Sequence, residues 1–156
     1  YYDGTALTIF NPLQGYYATV PAPGTIDAML DFARDTLDIV APAADLMTTD
    51  AYQRLIADAT SAFVVGKSVI GGVRCDHLAF RSPQVDWQVW IEDGARPLPR
   101  RYVITTLDVP GQPQFQVQIA NWNLAPQLSS GLFEFTPPAG ARKTGFVAVA
   151  NPGVSP

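Results

Sequence analysis

The chain has 156 residues, enough for one domain with one core, and only 15% of them are charged against 47% hydrophobic. That balance excludes a disordered chain. A net charge of -4 with no basic stripe excludes a nucleic-acid partner, and no apolar run approaches the roughly 18 residues of a membrane span.

Thr5 to Phe10 reads as a first strand, closed by the Asn11-Pro12 turn signal, and Gly15 to Val20 as a second, stopped by Pro21-Ala22-Pro23-Gly24. The period then changes. Ile26, Met29, Leu30, Ala33, Leu37 and Val40 fall on one helical stripe, with Thr25 as N-cap, Asp27 in the first turn and Pro42 as the stop. A shorter helix is expected from Asp50 to about Ala59, with Gln53 at capping-box spacing.

From Ser61 the period is two. Ser61 to Ile70 is a strand, and Gly71-Gly72 is a two-residue hairpin turn. Val73 to Arg81, Trp87 to Glu92 and Arg101 to Leu107 continue an antiparallel meander, with Asp93-Gly94 as one of its turns. Gln114 to Ile119 alternates, with Phe115, Val117 and Ile119 inward and three glutamines outward. Leu132 to Thr136 is expected as a last short strand, and 146–156 as a loose tail. The fold class is therefore mainly β with some α: one curved, unclosed antiparallel sheet or half-barrel over 1–145, with a helical insertion covering its concave face.

Reaction chemistry is sparse. His77 is the only histidine and Cys75 the only cysteine, two residues apart on one strand and so on one face. A hydrolase using Cys75 and His77 is one reading. A packed cysteine beside a half-exposed histidine is favoured, because nucleophile, base and orienter usually come from different segments. One His and one Cys are too few for a tetrahedral metal site without distant carboxylates, so no metal is expected. Asp86, Glu92 and Asp93 stand at strand ends and in a turn, where solvated carboxylates are routine. Gly71-Gly72 lacks the glycine spacing of a phosphate loop, and no cofactor is expected. Trp87 and Trp90 must point to opposite faces of their strand, so one of them faces solvent, a helical layer or a ligand.

Gly71-Gly72-Val73-Arg74-Cys75-Asp76-His77, Trp87-Gln88-Val89-Trp90-Ile91, Pro97-Leu98-Pro99-Arg100, Asn121-Trp122-Asn123 and Phe133-Glu134-Phe135-Thr136-Pro137-Pro138-Ala139-Gly140-Ala141 resemble a bacterial family of predicted periplasmic proteins without an assigned function. The resemblance extends to Tyr2-Asp3-Gly4 and Tyr16-Tyr17-Ala18-Thr19-Val20-Pro21. Its pattern is in turn similar to the LolA/LolB-type lipoprotein carriers, mainly through the Leu-Pro-Arg and Phe-x-Phe-x-Pro-Pro-x-Gly elements.

The resemblance implies the periplasm or cell envelope, an unclosed barrel, and a non-enzymatic protein holding a lipid or a lipoprotein acyl chain. A lipoprotein or other envelope protein is the implied partner. Inward residues of such a groove are expected to be Leu7, Ile9, Met29, Phe32, Val89, Phe115 and Val117. A sensing or protein-interaction domain without a lipid ligand is the rival reading. Family members begin upstream of Tyr1, so a processed or truncated product is expected. The Thr5–Phe10 strand would then carry an open edge that an upstream segment, a second copy or a bound proteolytic fragment covers, which makes edge-strand self-association a further expectation.

Overall fold

The structure, a computed structural model, describes residues 1–129 and 131–146. The tail expected at 146–156 lies outside them except for its first residue. The described residues form two unclosed sheets and few helices, so the mainly β class holds. The strands divide between two compact units, Tyr1–Ala41 with the chain from Pro126 onward, and Pro42–Ala125, where one sheet was expected.

In the first unit β1 (Ala6–Asn11) and β2 (Tyr16–Pro21) form a hairpin, and β2 also pairs with the two-residue strand β8 (Arg142–Lys143). That second pairing is parallel, a departure from the all-antiparallel expectation. The strand expected at Leu132 to Thr136 is a turn followed by irregular chain. Two prolines follow it, and Pro has no N–H to give a ladder. Phe135 instead packs its ring near those of Tyr1, Phe10 and Tyr17.

Helix α1 (Ile26–Leu37) is capped by the Thr25 hydroxyl, which accepts from the Ala28 N–H. It stops before the expected Val40, because Asp38 turns left-handed at φ 53° and Ile39 donates to the Ala33 carbonyl. Its buried Met29 and Ala33 pack with Leu7, bordered by Val20, Leu30 and Leu37. The helical insertion thus covers the first sheet.

The outer edge of β1 is not bare. Tyr1 and Thr8 exchange backbone hydrogen bonds at 2.9 and 2.8 Å, and Tyr2 bridges Leu7. Asp3 accepts from the Thr5 and Ala6 amides and the Thr5 hydroxyl, which holds this segment in place and draws the Asp3 carboxyl below its ordinary range.

The second unit is a five-stranded antiparallel meander, β3 (Ser61–Ile70), β4 (Val73–Arg81), β5 (Val85–Glu92), β6 (Pro99–Thr106) and β7 (Gln114–Gln118), in that spatial order. Gly71 and Gly72 both take positive φ, 56° and 81°, as a tight twisted hairpin requires. A short 3₁₀ helix (Ala44–Met47) and α2 (Ala51–Ile56) precede it. Asp50 makes no side-chain capping bond, so the expected capping box does not form.

Both tryptophans of β5 are buried, in separate clusters. Trp87, Val89 and Tyr102 pack on one face with Leu46 of the 3₁₀ helix and Leu55 of α2. Phe80 stacks on Trp87 at 3.8 Å and Tyr102 meets it edge-on at 5.8 Å. Trp90, Cys75 and Val103 pack on the other face. Each tryptophan therefore has its own packing surface, as the period of two requires.

Candidate functional site

The face of the meander opposite the helices holds the most distinctive arrangement of side chains. The register sets His77 opposite Trp90 and Trp90 opposite Arg101. Three neighbouring strands thus contribute one layered column. The His77 ring stacks on Trp90 at 4.0 Å and 14°, and the Arg101 guanidinium lies 4.8 Å from a Trp90 ring centre. Gln88 Oε1 accepts from His77 Nε2 at 2.8 Å, and since an amide oxygen only accepts, Nε2 carries the proton. Gln116 Oε1 accepts from Arg101 at 2.8 Å. Arg101 Nε is buried without an acceptor, so the ring face of Trp90 is its nearest compensation.

Beside this column, toward β3, lies a shallow hollow of about 300 Å³. Phe63, Val65 and Ala79 supply its apolar wall, His77 and Gln88 one polar end, and Arg81 with Asp86 another. A break in the β3–β4 register between Val64 and Gly66 shapes its wall, for Phe63 and Val65 both reach the hollow while Gly66 stands opposite His77. Its volume lies at the lower end of small-molecule sites. The β3 wall is exposed, with Phe63 at 48% and Val65 at 55%.

The charges of the meander are matched in ion pairs. Arg100 donates from both Nε and a terminal nitrogen to Glu92 Oε2, the first bond at 3.0 Å. Lys67 sits 2.7 Å from Asp76 and 3.1 Å from Asp93, and Arg74 3.0 Å from Asp93. Lys67 first, then Arg74, holds the Asp93 carboxyl below its ordinary range. Asp93 therefore stabilises the fold above the ordinary carboxylate range, and its contribution is lost as pH falls through its depressed folded value. Asp86 is 3.8 Å from Arg81. The three carboxylates weighed for acid-base work thus each face a cation of their own.

Cys75 is fully buried, and its Sγ donates to the Val73 carbonyl at 3.4 Å. Burial raises its pKa, which keeps the thiol protonated at neutral pH. Cys75 and His77 do share a face, but the imidazole is engaged by Gln88 and Trp90. Among the described residues no three His, Cys, Asp or Glu side chains gather to hold a metal ion.

The seven expected groove residues are distributed over both units. Leu7 and Met29 are buried against each other in the first, where Ile9 is 41% exposed and Phe32 half-buried. Val89 and Val117 belong to the Trp87 cluster of the second. Phe115 has a strand on one side only and stays 38% exposed. The hollow uses none of the seven. Phe63, Val65, Ala79 and Gln88 became recognisable only with the register, which alone tells which odd and even positions of three strands meet.

Fold and site together define a mainly β protein with unclosed sheets and a partly apolar open sheet face. Residues 1–147 match a family described as predicted periplasmic protein (DUF2092), and the chain belongs to that family. The periplasmic location expected from the resemblance stands with it. No curated protein and no solved structure matches the chain.

Proposed function

We propose that the protein is a non-catalytic periplasmic binding protein for an apolar ligand, a lipid or a lipoprotein acyl chain, in the manner of the LolA/LolB-type carriers. The hollow walled by Phe63, Val65 and Ala79 carries this reading. It pairs an apolar wall with a few fixed polar groups, the general composition of a small-ligand site. The protonated, buried Cys75 and the fully engaged His77 favour binding over hydrolysis.

The test is titration with a fluorescent long-chain fatty acid, with and without Ala79→Trp. Wild type is expected to bind, and the indole, placed in the hollow, to weaken binding at least about tenfold, since it displaces most of the ligand's apolar contact. Absence of binding, or binding untouched by Ala79→Trp, overturns the proposal. A second expectation is negative. Cys75→Ser, at a side chain that does not line the hollow, should leave probe affinity within about twofold, a change worth less than 0.5 kcal/mol. A tenfold loss in Cys75→Ser, with an unchanged circular dichroism spectrum, would bring the hydrolase reading forward.

A further inference from the structure

We infer that the hollow takes an anionic amphiphile, an acyl or alkyl chain whose carboxylate or phosphate head is held by Arg81. This inference rests on the reading of the hollow as a lipid site and names the charge and orientation of its ligand.

The hollow runs along β4 and β5 between two polar ends. His77, Ala79 and Arg81 alternate on β4 and so share one face, with Asp86 opposite Arg81 and Gln88 opposite Ala79 on β5. His77 and Arg81 stand roughly 13 Å apart at the strand rise. Between them Ala79 has the smallest side chain of the row, and Phe63, its partner on β3, walls the middle together with Val65. An apolar middle that ends on a charged group is the outline of a chain with one head.

The two ends differ in what they have left to give. At the His77 end the Nε2 proton already goes to Gln88, and the ring is stacked on Trp90. At the other end the Arg81 guanidinium makes no hydrogen bond among the described residues. Its nearest anion is Asp86 Oδ2, 3.8 Å from Nε and beyond hydrogen-bond reach. The neighbouring cations are filled. Arg100 donates twice to Glu92 and Arg101 donates to Gln116, while Lys67 lies 2.7 Å from Asp76 and Arg74 3.0 Å from Asp93. Arg81 therefore lines the hollow with its donors open. A planar fork of N–H groups matches two oxygens of a carboxylate or a phosphate. Asp86 repels the same head, but its closest approach to Arg81 is on the Nε side. A head on the terminal nitrogens sits at about 2.8 Å from the guanidinium and farther from Asp86, so the attraction wins.

Calorimetric titration with decanoate, decyl phosphate and decanol at about pH 8, where a carboxyl is ionised, tests this. Wild type should prefer both anions to the alcohol by at least about fivefold. Arg81→Gln should bring that preference within about twofold and leave the alcohol's affinity unchanged. Arg74→Gln removes the same charge from the same strand, at a side chain outside the hollow, and should keep the preference. Asp86→Asn removes the competing carboxylate and should strengthen anion binding about twofold or more. Acetate and inorganic phosphate, which have the head without the chain, should not displace decanoate. Equal affinity for acid and alcohol, a preference that survives Arg81→Gln, weaker anion binding in Asp86→Asn, or displacement by acetate overturns this inference while the lipid reading stands. If neither the anions nor the alcohol bind, the lipid reading itself falls and this inference with it.

Discussion

Trp87→Ala is expected to lower the unfolding free energy of the meander by about 3–5 kcal/mol, the largest effect of any single substitution considered. Trp87 is 5% exposed, stacked by Phe80 at 3.8 Å and met edge-on by Tyr102. Removing the indole deletes its transfer term and leaves a cavity that three neighbouring strands cannot close, because their backbones are fixed by the ladder. Trp122→Ala is the internal comparison. That indole is 40% exposed and donates to the Pro99 carbonyl at 2.9 Å, so its loss should cost only about 1 kcal/mol. Urea melts of the two variants would check the contrast. Equal midpoints would mean that the Trp87 cluster is not the core of this unit.

The second large effect is a fall in stability at alkaline pH. Tyr102 is 2% exposed, and burial, with a smaller contribution from the Asp45 carboxylate, pushes its hydroxyl well above the ordinary tyrosine range. The folded protein therefore keeps a proton that the unfolded chain releases near pH 10. Stability from this group is complete below about pH 10 and is lost as pH rises toward the folded value. Tyr102→Phe removes the group while keeping the ring. Its urea midpoint should fall less steeply between about pH 9 and pH 11 than that of wild type. Tyr52→Phe, at a residue 68% exposed, should track wild type. Parallel curves for Tyr102→Phe and wild type would show that Tyr102 gives up its proton in the folded state.

Local signals in the sequence carried most of the fold. The period of two from Ser61 onward, the Gly71-Gly72 turn and the Thr25 cap each rest on neighbours in the chain, and each stands in the structure. The division into two sheets was hidden, because it depends on which strands pair across long separations. Strand β8 is two residues long and has no hydrophobic alternation to announce it. Leu132 to Thr136 carried the alternation, but the amides of Leu132 and Glu134 close local turns onto Ser129 and Gly131 instead of joining a ladder. The hollow was hidden for a related reason. Phase within one strand tells which residues share a face, but Phe63, Ala79 and Gln88 come from three strands whose relative offsets depend on the break at Val64 and Gly66.

The two sheets also differ in how far the chain must travel to build them. Every strand of the meander pairs with its neighbour in sequence, so its contacts are local and its nucleus can form quickly. The ladder between Tyr16 and Arg142 spans most of the chain, and closing so long a loop comes late. A chain threading into the periplasm N-terminus first would finish the Pro42–Ala125 unit while β2 still waited for its last neighbour. The first hairpin would spend that interval held only by β1 and α1, and a protease acting during export should cut there before it cuts the meander.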